Sequence, residues 1–255
     1  QMWDYPQSLV EIARELDPST LAPEQLVLTA KLLPADDRRN LLLRSQRVWP
    51  RDLWINTELG RLSLETVHQS IPERHPFGCY PAAKAFLNSS DVPAEIHQEA
   101  NASVGFYRAA LAVAKPESRI GYRLDLAAAL ALTGDLEASL AECELALGLA
   151  RRSSSESKPL LSEAHHMLGL CLRRRGELDE AIESLQFASK SDPACLAIGW
   201  SLAEAMKEAG RDGERQSVLR SLLSASDDET IVNFLERELD VTTTADESTS
   251  DNHQR

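Results

Sequence analysis

Six histidines and four cysteines are the side chains of this 255-residue chain best suited to hold a metal or carry a covalent step. Their spacing argues against both. His165 and His166 are neighbours, and consecutive residues on a helix point about 100° apart, whereas ligand pairs stand at i and i+4. They read as packed helix residues. His68, His75 and Cys79 fall in one irregular stretch without the spacing of a ligand set. Cys79, Cys143, Cys171 and Cys195 lie far apart with no C-x-x-C pair, so they read as small buried apolar residues. No Ser/His/Asp grouping follows from spacing. Catalytic residues, metal ligands and cofactor are therefore all expected to be none. What remains is the chemistry of recognition. Trp54, Arg61, His166, Arg173, Trp200 and Lys207 are aromatic and cationic residues of the kinds that anchor an interface.

Composition says what must position them. Hydrophobic residues make up 43% and aromatics 5%, with Ala and Leu dominant, which suits closely packed helices rather than sheets. The formal net charge is −13, and from Ser226 to Arg255 nine acids face only Arg237 and Arg255. A protein without a positive footprint gains nothing from counterion release, so nucleic acid is excluded as a partner. No apolar run approaches the roughly 18 residues of a membrane span, and no signal peptide is visible. A cytoplasmic protein is expected. The chain opens Gln1-Met2-Trp3, without an initiating methionine at its first position, as a piece of a longer polypeptide would.

Gly176 and Gly210 stand 34 residues apart in matching surroundings. Upstream of Gly176 are His165, Leu168, Gly169 and Leu172 at helical spacing, then the basic helix end Arg173-Arg174-Arg175. Downstream are Ala181, Leu185, Ala188 and the stop at Pro193. Gly169 and Ala181 are small where two helices cross closely. One step later Leu202, Ala203, Met206, Leu219 and Leu222 repeat the pattern, with Arg215 in place of Ala181, as in a degenerate terminal unit. One step earlier Leu126, Ala127, Leu130, Gly134, Leu136, Ser139 and Ala146 repeat it again, with eight extra residues in the polar run Arg151 to Lys158.

This pattern resembles the tetratricopeptide (TPR) repeat, an αα-hairpin whose apolar face must be buried by its neighbours. The resemblance implies an all-α solenoid of four to five units. Its expected divisions are N-terminal helices and a degenerate repeat over 1–50, a unit over 51–117 with an insertion at about 67–92, and a unit with a lengthened loop over 118–158. A unit over 159–193, a degenerate unit over 194–225, a capping helix over 226–240 and a disordered acidic tail over 241–255 complete it. The insertion is either functional or merely tolerated. The N-terminal helices are expected at Ser8 to Leu16, Pro23 to Leu33 and Ala35 to Val48.

TPR stacks bind partners on the concave wall of their first helices. The register places Trp54, Thr57, Arg61 and Leu64 there, followed by Leu124, Ala128 and Ala131, then Glu163, His166, Leu170 and Arg173, then Ala197, Trp200, Glu204 and Lys207. Trp200 either anchors a partner or packs between repeats. The carboxylate clamp of chaperone-binding TPRs needs Lys and Asn where this chain has Leu124, Ala128 and His166, so that clamp is absent. Trp200 and Arg173, flanked by Arg61, His166 and Lys207, imply as partner an extended protein segment carrying acidic and apolar residues. Its rival is the insertion itself, filling the groove.

A second resemblance concerns Gln46, Pro50, Asp52, Trp54, Asn56, Leu59 and Gly60, together with Phe106-Tyr107-Arg108-Ala109-Ala110-Leu111-Ala112-Val113. These are similar to the C-terminal TPR region of planctomycete-type serine/threonine protein kinases, with Leu53 where that family has an aromatic. The similarity runs from about Trp3 to Ala225. It implies a non-catalytic arm that recruits partners for a kinase. The alternatives are a kinase function belonging only to the parent enzyme, or a sensor of peptides or small ligands. The chain itself has no H-R-D, no D-F-G and no Gly-rich phosphate loop, and phosphoryl transfer needs all three.

Overall fold

The computed structural model describes residues 7–69, 94–152 and 158–250, with backbone alone from Asp240 onward. The described residues form twelve α-helices and no strand. They are α1 (Gln7–Glu15), α2 (Pro23–Lys31), α3 (Ala35–Val48), α4 (Leu53–Gln69), α5 (Ala94–Val113), α6 (Arg119–Thr133), α7 (Leu136–Ala150), α8 (Lys158–Arg175), α9 (Leu178–Ser191), α10 (Leu196–Glu208), α11 (Asp212–Ala225) and α12 (Glu229–Ser250). Short 3-10 turns cover Pro18–Thr20 and Pro116–Ser118. From α2 onward each helix packs mainly on its neighbours in the chain, α1 lies against α3, and the first helices of neighbouring hairpins also touch, as α6 does α8. The apolar interior accordingly divides into adjoining clusters along the stack. That is how a solenoid distributes its core.

The hairpins begin and end where local chemistry dictates. Gly176 takes φ +86°, a left-handed conformation costly for side chains bearing a Cβ. There its N–H reaches the Arg173 carbonyl at 3.0 Å and the Glu177 N–H reaches Leu172 at 3.0 Å, closing α8. Gly134 and Gly210 close α6 and α10 in the same way. The Asp135 carboxylate then accepts the Ala138 N–H at 3.1 Å and starts α7. In α9, Asp179 and Glu180 lie in the first turn and Lys190 in the last, complementing the helix dipole.

The expected close crossing is present. A Cβ on Gly169 would lie 2.6 Å from Leu185 Cγ and 3.2 Å from the Ala181 carbonyl oxygen. Gly60 fills the same role in the α4–α5 hairpin, where a Cβ would meet the Tyr107 ring at 2.9 Å.

Two expectations differ from the structure. The helix α12 continues to Ser250, through ten residues expected to be disordered. A helix already nucleated gains one hydrogen bond per added residue, so a polar extension propagates where it would not start. The α4 helix reaches Gln69, through the first three residues of the expected insertion. The rest of that insertion and residues 251–255 lie outside the described residues. Arg215 is fully buried at the small-residue position: its Nη2 donates to Glu238 of α12 at 2.6 Å and lies 3.7 Å from Glu204 of α10.

Candidate partner-binding surface

The six recognition residues separate into two groups. Trp54, in the first turn of α4, is 54% exposed. Arg61, two turns on, is half exposed and holds Glu58 at 2.6 Å and Glu65 at 3.0 Å. Burial works to raise the Glu58 carboxyl, but the hydrogen bond and charge of Arg61 override it and leave the pKa lowered. Glu58 in turn raises Arg61. Lys207, at the end of α10, is exposed.

His166, Arg173 and Trp200 are buried between repeats. His166 Nε2 lies 3.1 Å from the Ser201 hydroxyl of α10. Arg173 donates to Glu208 at 2.6 Å. Trp200 is 6% exposed and meets Phe234 of α12 edge to face at 4.9 Å, within a cluster with Leu219, Leu222 and Leu235. Such an aromatic pair contributes about 0.5–1.5 kcal/mol beyond its buried area. Packing, rather than anchoring, describes Trp200. The middle of the wall is also closed, since Leu124, Ala128, Ala131 and Leu170 are all buried. The structure therefore joins Trp54 and Arg61 on one helix, leaves Lys207 exposed on another, and removes His166, Arg173 and Trp200 from the surface.

Four of the residues that carry the kinase similarity, Asp52, Asn56, Gly60 and Tyr107, are structural. Asp52 caps α4 by accepting the Ile55 N–H at 2.8 Å. The Asn56 amide donates to the Pro50 carbonyl at 3.0 Å and the Asp52 carbonyl at 2.7 Å, fixing the turn before the helix. Tyr107 of α5 packs on Gly60, and its hydroxyl is pushed well above the ordinary tyrosine pKa by burial. Nearby Arg44 donates to the Ala13 and Arg14 carbonyls, each at 2.6 Å, closing α1.

His165 stacks on Phe187 at 4.1 Å, and burial, with Arg151 second, lowers its pKa from 6.5. Cys143 and Cys171 are buried and Cys195 is half-buried, all as free thiols. Cys171 is held below the usual thiol pKa by a hydrogen bond from Cys143, against the effect of burial and with help from Ser139 at 3.1 Å. Among the described residues no group of three or more His, Cys, Asp or Glu is placed to hold a metal. No described helix is long and apolar enough to cross a membrane. His75 and Cys79, and the side chain of His68, lie outside the described residues.

One feature carries no sequence signal. A cleft of about 310 Å³ opens between the start of α6 and the end of α7, where Arg119, Arg123 and Arg152 converge beside the exposed Leu145. Arg119 and Arg123 stand on α6 and Arg152 just past the end of α7, and they meet only because the hairpin brings its open end together.

Stacked αα-hairpins with glycine-closed first helices and small residues at the crossing define a tetratricopeptide-repeat solenoid. Residues 120–191, spanning α6 to α9, match the tetratricopeptide repeat family model. Among solved structures, the MamA protein aligns with a TM-score of 0.52 at 13% identity, over 86% of this chain and 93% of its own. MamA from residue 41 to its end, from Desulfovibrio magneticus RS-1, aligns with a TM-score of 0.50 at 14% identity, over 94% and 99%. At such identities the likeness is one of fold. No curated protein matches the sequence.

Proposed function

We propose that this chain is a non-catalytic protein-binding scaffold that holds an extended partner segment carrying acidic and apolar residues. The observation that carries this reading is Trp54, a half-exposed indole on the first helix of a repeat, one helical face from Arg61. Trp54 is the most exposed of the described aromatics, ahead of Phe187 at 43% and Trp49 at 37%, and an exposed indole beside a cation is a usual anchor of an interface. Lys207 offers a second cation on the last full repeat. The same reading takes the chain as the C-terminal, cytoplasmic arm of a serine/threonine protein kinase. Its support is the run from Gln46 to Gly60 with Phe106 to Val113, and the residues upstream of Gln1 in the gene product test it directly.

Capture from the source cell on immobilised chain, compared with a Trp54→Ala variant of unchanged melting temperature, tests the scaffold. The expected result is a protein partner retained by the chain and weakened about tenfold or more by Trp54→Ala. Equal capture by both would remove Trp54 from the site. Phosphate transfer by rigorously purified chain would overturn the non-catalytic reading.

A further inference from the structure

We propose that the cleft between the first turns of α6 and the last turns of α7 binds the carboxylates of an extended acidic peptide segment. The inference rests on the scaffold reading above and names a site for it.

Three arginines line the cleft, and two are pre-set for a ligand. Arg119 spends its Nε on the Ala114 carbonyl at 3.1 Å, and Arg152 spends its own on Gly148 at 3.0 Å. Each guanidinium is thus fixed through one nitrogen and keeps its outer edge, the two-pronged donor that matches a carboxylate. Among the described residues neither pairs with a carboxylate. Arg123 is held by Glu142, and its buried Nε has no acceptor among the described residues. Pre-set side chains lose little further rotamer freedom on binding, which favours affinity.

The apolar half of the cleft selects the rest of the ligand. Leu145 is 51% exposed and Leu149 half-buried, side by side with the arginines. An aliphatic side chain following an acid in the sequence would cover them. In a chain of net charge −13 this cluster is a local exception, so a short acidic segment can dock where a long polyanion is repelled by the rest of the surface. Glu144 at the rim opposes the ligand, and that opposition provides a control of opposite sign.

The test is fluorescence anisotropy of the full chain with a labelled peptide of sequence GDELEDLG and its neutral twin GNQLQNLG. Saturable, salt-weakened binding of the acidic peptide alone is expected. Arg119→Ala/Arg152→Ala should weaken it about tenfold or more, and Glu144→Gln should strengthen it a few-fold. The glutamine variant changes one exposed side chain and keeps the test valid even if the double variant folds poorly. No saturable binding, equal binding of both peptides, or wild-type affinity in a folded double variant would each overturn the cleft. Partner capture that persists while the peptide fails would sink this inference alone, whereas loss of capture by the intact chain would remove the scaffold reading itself.

Discussion

Ala181 shows how one side chain sets the geometry of a whole hairpin. It is fully buried where α9 crosses α8, and Gly169 on the other side has no room for a Cβ. Ala181→Leu should destabilise the chain by about 1–3 kcal/mol through overpacking, read as a lowered denaturation midpoint; an unchanged midpoint would mean that the crossing is looser than described. His165 gives a pH signature. Its folded pKa lies below 6.5 because burial, then Arg151, disfavours the charged form. The unfolded chain therefore takes up the proton first as pH falls. Stability from this residue is complete above the unfolded pKa and is lost as pH drops through about 6.5 toward the folded value. His165→Phe should flatten that acid-side loss of melting temperature between about pH 7 and pH 5. An identical slope in the variant would assign the loss to other groups. Gly176, Gly169 and Ala181 were legible in the sequence because their constraints are local. The burial of His166, Arg173 and Trp200 was not, since it depends on how far one repeat turns against the next.

The last two elements depend on each other. Arg215 enters the interior of the final hairpin and is neutralised from α10 by Glu204 and from α12 by Glu238. Sequence spacing marked Arg215 as an oddity at a small-residue position, but its partners lie on other helices and leave no local trace. Removing the arginine takes its charge away from Glu204 and Glu238 and leaves a cavity. Arg215→Ala should cost about 3 kcal/mol, and Arg215→Met less because it refills the volume. Thermal melting of the two variants checks the order. The docking of α12 is complete before its end, through Phe234, Leu235, Glu238 and Leu239. Deleting residues 241–255 should therefore leave melting and the helicity of the remainder intact. A large fall in melting temperature would show that the extension past Asp240 contributes to packing.

At the scale of the molecule, the period of the glycines gave away the architecture because a solenoid repeats the same local solution. Helix ends at Pro23, Ala35 and Val48 were legible for the same reason. A binding surface is not periodic. The wall expected to bind runs from open at Trp54 to closed at Leu124, Ala128 and Leu170, while the cleft at Arg119, Arg123 and Arg152 exists only through tertiary contact. The central claim is that this stack recognises protein and performs no chemistry. Hydrogen–deuterium exchange of the chain alone, with its captured partner, and with magnesium ATP tests it most directly. Partner binding should slow exchange in the first turns of α4 around Trp54 and at the α6–α7 cleft, and ATP should change nothing. Protection by ATP, or partner-induced protection at neither place, would contradict the claim.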